Sequence, residues 1–333
     1  MMQLAVVTLA ATDGSAGDVA HGAGWILEHA WILPLIPFIS FLAILAFGKR
    51  LRYKGAELGI AALALCFVLA LGAAGQWIGY TNDATSSGHG ATSEHAAAVA
   101  GTGESAAGPH VAADTPSSDD HGAATSGEEG ASAEAEHAVA PVERTWTWWE
   151  SGGMDFEVGI LVDGLSVMML IVVSIVSLLV HIYSTDYVHG DIRYTHYFAF
   201  LSLFTASMLM LVISASTVQF ITSWELVGVC SFVLIGHWWE EKKNSDAALK
   251  AFLTNRVGDI GLIIGMSILF FTAGGAKTFN IRETATAAAS GSVSHTALLV
   301  ASLCLLAAVM SKSGQFFLHT WLPDAMAGPT PVS

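Results

Sequence analysis

Seven stretches of this chain, roughly residues 25–48, 56–80, 160–183, 195–215, 217–239, 247–272 and 296–319, are dominated by apolar side chains and are long enough to cross a bilayer. A helix needs about 20 such residues to span the hydrocarbon core. Backbone N–H and C=O groups find no water there, so each must be satisfied within its own segment. Runs such as Leu58 to Leu71 and Met168 to Val180 are therefore read as helices, and seven of them predict an all-α integral membrane protein, a helical bundle. Charged residues make up 12% of the chain, against about 25% in a soluble domain, which excludes a soluble enzyme and gives no basic surface for nucleic acid.

The formal net charge of -15 describes one region. Acidic residues crowd into residues 81–150, where Ala, Gly, Ser and His accompany them and large apolar side chains are scarce. Such a segment cannot bury enough surface to offset the entropy of ordering. The chain divides on this reading into an N-terminal helix pair (1–80), a disordered, extracytoplasmic acidic and His-rich loop (81–150) and a transmembrane core (151–333). The loop histidines His89, His95, His110, His121 and His137 are irregularly spaced and without Cys partners, the pattern of a solvated linker. No metal site is indicated. Cys66, Cys230 and Cys304 each sit inside an apolar run with no CxxC, and read as small buried residues.

Orientation follows from the basic residues. Lys49, Arg50, Arg52, Lys54, Arg193, Lys242 and Lys243 fall on one side of the predicted membrane, and Arg144, Lys277 and Arg282 on the other. The N-terminus is expected outside, and the first 24 residues lack the basic start of a cleavable signal. Trp25, Trp31, Trp77, Trp146, Trp148, Trp149, Trp238 and Trp239 fall near predicted helix ends, where indole rings favour the interface.

Four charges lie where a bilayer penalises them, by about 2.5–3.5 kcal/mol each at mid-depth. They are Glu225 in the fifth segment, Arg256 and Asp259 in the sixth, and Lys312 in the seventh. Arg256 and Asp259 are three residues apart, so they share a helix face and are read as a local ion pair. Glu225 and Lys312 have no such neighbour. A Lys held by a carboxylate stays protonated, and the same Lys deprived of it can release its proton, so this pair is read as a proton carrier meeting across the bundle. His319 follows Lys312 by seven residues, two turns along the same face if the helix continues, and can titrate near neutral pH. Lys250, with Asp246 near the start of the sixth segment, feeds the pathway or snorkels to the interface. After His319 come Pro323, Gly328, Pro329 and Pro331, which break a helix; broken helices line hydrated cavities and ion sites in transporters. Gly274-Gly-Ala-Lys277-Thr lacks full P-loop spacing and reads as a loop; Gly261 and Gly265 read as close helix packing.

Trp224 through Gly236, Ala248 through Asp259, Lys312 through Ser333 and Val162-Asp163-Gly-Leu-Ser166 together resemble the L subunit family of respiratory complex I (NADH-quinone oxidoreductase). The resemblance covers most of residues 155–333. It implies an antiporter-like bundle with a broken seventh helix, in which Glu225 and Lys312 form one half of a proton channel, Arg256 and Asp259 are its charged pair and His319 a relay. It further implies proton translocation coupled to NADH-to-quinone electron transfer, with FMN, iron–sulfur clusters, NADH and quinone held by partner subunits and no cofactor in this chain. The implied partners are other complex I membrane subunits, especially the neighbouring antiporter-like one, in a bacterial plasma (inner) membrane. Phe317 stands where the family often has Pro, which places the break toward Pro323. Relatives are expected to continue beyond Ser333 into an eighth helix and a second inverted half. The large subunit of a multisubunit sodium/proton antiporter shares the Glu and Lys but is expected to lack Arg256-Val-Gly-Asp259 and to have Asn and Ala in place of Asp324 and Gly328. A structural scaffold would have no use for unpaired ionisable groups at mid-depth.

Overall fold

A computed structural model describes residues 24–100, 139–152, 154–272 and 278–333, with backbone alone for 84–100 and 154. The chain divides into two compact units, residues 1–77 with 140–333, and residues 78–139.

All seven expected spans are helices long and apolar enough to cross a membrane. A single turn, α1 (Trp25–Glu28), precedes α2 (Ile32–Phe47), so the first segment is two pieces. They are followed by α3 (Ala56–Ala100), α4 (Gly164–Tyr187), α5 (Tyr194–Val212), α6 (Thr217–Ile235) and α7 (Lys242–Thr272). A surface helix, α8 (Ile281–Ala289), leads into α9 (His295–Lys312), and a last turn, α10 (Trp321–Asp324), follows a gap.

The faces are sorted as lipid requires. On α4, Leu165, Met168, Leu179 and Ile182 point outward, while Val167, Leu170, Ser174, His181 and Ser184 are buried. The polar side chains are inside. Helix α5 is the central element, with 56% of its spanning window buried, against 28% or less for every other span. Asp163 starts α4 by accepting from the Ser166 amide at 2.7 Å, and Ser216 starts α6 by accepting from the Gln219 amide at 3.3 Å. These side chains satisfy donors that a helix start leaves orphaned.

Three sequence expectations need correction. The chain is not purely helical: β1 (Val142–Ser151) and β2 (Met154–Val162) form an antiparallel hairpin with Val142 opposite Val162 and an irregularity between Thr147 and Trp149. Its aromatic and β-branched content favours strand, and β2 absorbs the first residues assigned to the third span. The hairpin is stitched to the helix ends: the Leu161 amide donates to the Ile213 carbonyl at 2.9 Å and the Gly159 amide to Gln219 Oε1 at 2.9 Å; beside it, the Thr217 amide at the start of α6 donates to the carbonyl of Phe279 in the segment after α7 at 2.7 Å.

The disordered loop assigned to 81–150 is also not uniform. Helix α3 continues through Ala100, Ala being the strongest helix former, and residues 142–150 belong to β1. Residues 101–138, with His110, His121 and His137, lie outside the described residues, as do the side chains of His89 and His95 and the segment 273–277 with Lys277.

The third correction concerns the helix break. Helix α9 stops at Lys312, well before Pro323, because Gly314 takes up a left-handed conformation at φ 60°. The Gln315 amide then donates to the Met310 carbonyl at 2.9 Å and the Gly314 amide to the Ser311 carbonyl at 3.3 Å, the paired bonds of a glycine-terminated helix. Phe317 is left-handed too, at φ 77°. The Trp321 indole N–H donates back across the gap to the Ser311 carbonyl at 2.9 Å.

Candidate functional site

Helices α6, α7 and α9 bring Glu225, Arg256, Asp259 and Lys312 to one place near mid-depth. Glu225 is close to the centre of α6, Arg256 and Asp259 are close to the centre of α7, and α9 ends there. Helices α7 and α9 run antiparallel and approach closely along a glycine stripe. A side-chain carbon at Gly258 would lie 1.9 Å from Ser311 Oγ, one at Gly261 2.5 Å from the Cys304 carbonyl, and one at Gly265 3.0 Å from the Ala301 carbonyl. Gly261 and Gly265 thus serve packing as read from the sequence, and Gly258 extends the stripe to the residue before Asp259.

The pairing differs from the expected one. Arg256 Nη1 is ion-paired with Glu225 Oε2 on the neighbouring helix and lies 3.9 Å from Asp259 Oδ2. The guanidinium is therefore the bridge between two carboxylates, and the local pair with Asp259 is the looser contact. Asp259, whose side chain is only 5% exposed, instead accepts a hydrogen bond from the Trp224 indole N–H at 2.6 Å. Lys312 Nζ stands 5.4 Å from the centre of the Trp224 ring, within cation–π range. Gly228, one turn beyond Glu225, makes room for it: a side-chain carbon there would lie 3.0 Å from Nζ. Among the described residues Lys312 forms no ion pair, so Glu225 and Lys312 do not meet directly.

The two carboxylates and two cations sum to zero charge, the condition under which such groups persist in a bilayer. Three of them, Lys312, Asp259 and Arg256, border a cavity of about 700 Å³ whose lining also includes Asn255, Ser177 and Thr205, while Glu225 reaches it only through Arg256. Asn255 Oδ1 is buried without a hydrogen-bond partner. A cavity of this size with several convergent polar groups has room for a string of waters.

The other two sequence candidates lie apart. Lys250 pairs with Asp324 at 2.6 Å, both side chains nearly half exposed. His319 is exposed within the gap after α9, its ring 6.4 Å from that of Phe316. It cannot follow Lys312 along a helix face, because the helix has ended. Trp224 was missed as a participant; its place beside Glu225 inside a span was the available signal. His181, wholly buried on α4, was also missed.

With this geometry in view, comparison with known proteins is direct. Residues 214–333 match the family described as NADH:quinone oxidoreductase/Mrp antiporter, TM, and residues 148–198 match NADH-Ubiquinone oxidoreductase (complex I), chain 5 N-terminus. In fold, the chain resembles the Mrp complex from Dietzia sp. DQ12-45-1b, with a TM-score of 0.60 and 21% identity over 91% of this chain and 26% of that one. It also resembles the membrane-bound sulfane sulfur reductase, an archaeal respiratory membrane complex, with a TM-score of 0.63 and 12% identity over 92% of this chain and 49% of that one. These define the class: a multi-pass, mostly helical membrane protein with an antiporter-like fold.

The particular relationship comes from sequence. NADH-quinone oxidoreductase subunit L of Neisseria meningitidis serogroup A is 42% identical over 200 residues, 57% of this chain. NAD(P)H-quinone oxidoreductase chain 5 of Synechocystis sp. is 44% identical over 187 residues, 56% of this chain. The chain is a homologue of subunit L/chain 5 of NADH-quinone oxidoreductase, and it spans about 30% of the length of the first of these relatives and 28% of the second.

Proposed function

We propose that this chain belongs to an antiporter-like, proton-translocating subunit in the membrane arm of an NADH-quinone oxidoreductase. The observation that carries the reading is that Arg256, Asp259 and Lys312 line one cavity inside the bundle, with Glu225 ion-paired to Arg256 behind them. Redox work belongs to partner subunits, which hold FMN, iron–sulfur clusters, NADH and quinone; this chain contributes the movement of protons in a bacterial plasma membrane.

The arrangement suggests how. Lys312 is held as an ammonium by the Trp224 face and by the negative field of Asp259. Arg256 contacts Glu225 closely and Asp259 loosely. A small swing of the guanidinium from Glu225 toward Asp259 neutralises Asp259 and removes the charge that favours protonated Lys312. The proton on Nζ then passes to water in the cavity. When Arg256 returns to Glu225, the field of Asp259 draws a proton back onto Lys312. Trp224 takes part in both states, its N–H on Asp259 and its ring against Lys312. Glu225 thus controls Lys312 through Arg256. His319 and Lys250 are not needed for this exchange and belong, if anywhere on the route, to its outer end.

The test is NADH-driven proton pumping in membranes carrying the full-length parent with Lys312→Ala, measured with electron transfer and complex assembly. Assembled complex that has lost pumping and coupled turnover supports the reading; assembled complex that pumps at the parental rate overturns it. Varying sodium in the same membranes distinguishes the sodium/proton antiporter reading, which the Mrp-like fold keeps open.

A further inference from the structure

Outside the charged cluster, the bundle buries one imidazole and a file of hydroxyl groups between α4 and α5. Ser177, His181 and Ser184 lie along one face of α4, and Tyr197, Ser202 and Thr205 lie on α5. His181, Ser184, Ser202 and Tyr197 are fully buried, and Thr205 is 1% exposed. Ser177 Oγ hydrogen-bonds Thr205 Oγ1, and Ser184 Oγ lies 3.2 Å from the Tyr197 hydroxyl. His181 ties the two helices together: Nδ1 is 2.9 Å from the Ser177 carbonyl and Nε2 3.4 Å from Ser202 Oγ. A carbonyl only accepts, so Nδ1 carries the hydrogen and Nε2 turns its lone pair toward Ser202.

Both ends of this file reach something titratable. At one end, Ser177 and Thr205 form the wall of the cavity that holds Lys312. At the other, the Tyr197 ring packs against His237, centroids 5.3 Å apart, and His237 Nε2 lies 3.3 Å from Asp191 Oδ2 in the loop between α4 and α5. From Ser184 to His181 is less than one helical turn, about 5–6 Å between side-chain origins.

Interhelical adhesion is the competing explanation for buried hydroxyls. Together with self-satisfaction on a helix it accounts for the hydroxyls: Ser184, Thr205 and Ser207 donate to carbonyls of their own helices, Val180, Leu201 and Leu203, and Ser177 bonds Thr205 across the pair. It does not account for an imidazole, which is costlier to bury than a further serine and has its own fitted space: a side-chain carbon at Gly59 of α3 would lie 3.0 Å from its ring. An ionisable group buried at membrane depth is by default on a transport path.

We propose that His181 is a proton-carrying residue on a buried polar seam joining the Asp191–His237 edge of the bundle to the Lys312 cavity. The inference rests on the reading of this chain as a proton-translocating subunit. The Ser202 hydroxyl passes a proton to Nε2 and is itself reprotonated from the Asp191–His237 side, and the N–H bond at Nδ1 of the imidazolium breaks to give that proton to water in the cavity beside Ser177 and Thr205, so one proton enters and one leaves. The seam supplies what the charged cluster lacks, a route from the basic-loop side of the bundle to Lys312.

The experiment compares His181→Gln with Lys312→Ala in assembled complex from the full-length parent, following NADH-driven proton pumping, electron transfer and thermal stability. Gln retains an amide donor for the Ser177 carbonyl but does not take up a proton. Pumping is expected to fall about tenfold or more with stability unchanged, and to slow further in deuterium oxide. His181→Gln pumping at the parental rate overturns the seam, whatever Lys312→Ala does. Impaired His181→Gln beside normal Lys312→Ala sustains the seam and sinks the Lys312 reading; the reverse pattern does the opposite. Should His181→Gln fail to assemble, Tyr197→Phe carries the test, because it removes only the hydroxyl facing Ser184; parental pumping then overturns the seam.

Discussion

Replacing Gly258 by Ala tests whether the approach of α7 to α9 sets the charged site. The new methyl would lie 1.9 Å from Ser311 Oγ, 2.4 Å from Ser311 Cβ and 3.0 Å from the Ala307 carbonyl oxygen, whereas ordinary contact begins at 3.4 Å. Turning the Ser311 hydroxyl relieves the first clash. The Cβ clash stays, and since 3.4 − 2.4 is 1.0 Å, the two helices must part by about 1 Å. Overpacking of this kind costs about 1–3 kcal/mol, or about 2–12 °C in melting temperature. Gly258 adjoins Asp259 and Ser311 adjoins Lys312, so the same displacement moves the ammonium away from its carboxylate and lowers pumping. Adding Ser311→Gly removes both close atoms and leaves only the Ala307 oxygen. The double variant is therefore expected to regain most of the lost stability and pumping, apart from about 1 kcal/mol for glycine in a helix. Thermal unfolding of the purified complex and pumping in vesicles are the assays, read as a double-mutant cycle. A single variant as stable as the parent, or a double variant no better than the single, refutes the packing argument.

Other expectations follow from neighbouring contacts. Arg256→Met strands Glu225 beside an apolar side chain and should destabilise the assembled subunit by about 1–3 kcal/mol, less than the fully buried case because the Arg256 side chain is 35% exposed; adding Glu225→Gln should restore assembly without restoring pumping, as blue-native gels and vesicle assays would reveal. Lys250→Ala should change stability by no more than about 1 kcal/mol, since it breaks an exposed pair, and a loss of assembly on gels would contradict this. In the loop after α6, burial pushes His237 below its ordinary value of 6.5, only partly opposed by Asp191. A folded pKa below the unfolded one gives stability that is present above about pH 6.5 and lost as pH falls through that value toward the folded one. His237→Gln should flatten that acid-side loss between about pH 7 and 5, and a melting curve series with unchanged slope would count against it.

Much of this was legible in the sequence because lipid imposes one rule on every span. The seven helices follow from length and polarity alone; apart from the far end of α3, which runs on to Ala100, and the early stop of α9 at Lys312, their positions are close to those expected. The four central charges stood out for the same reason, each being costly where it sits. Their partners were less legible. The spacing of Arg256 and Asp259 pointed to a local pair, yet Glu225 on another helix captures the guanidinium, a choice made by tertiary packing that periodicity cannot report. The helix end shows a different failure. Three prolines and a glycine drew attention past His319, while the operative signal was Gly314, directly after Lys312-Ser313, whose left-handed backbone closes the helix with its own amides. The hairpin was obscured because Trp146, Trp148 and Trp149 serve equally as interfacial anchors and as strand formers.

The hairpin gives the bundle unequal ends. Strand β2 bonds to the residue after α5, Gln219 of α6 reaches Gly159, and the segment after α7 bridges to the start of α6, whereas the opposite end carries exposed pairs such as Lys250 with Asp324. Helix α9 departs from the stitched end and reaches Lys312 at its last residue, about 27 Å away at 1.5 Å per residue. The two ends of the subunit are thus fastened differently, by main-chain bonds at the hairpin and at Lys312 by the tight Gly258–Ser311 seat and the Trp321 strut, so the reactive charge depends on a fit between side chains and not on a backbone clamp.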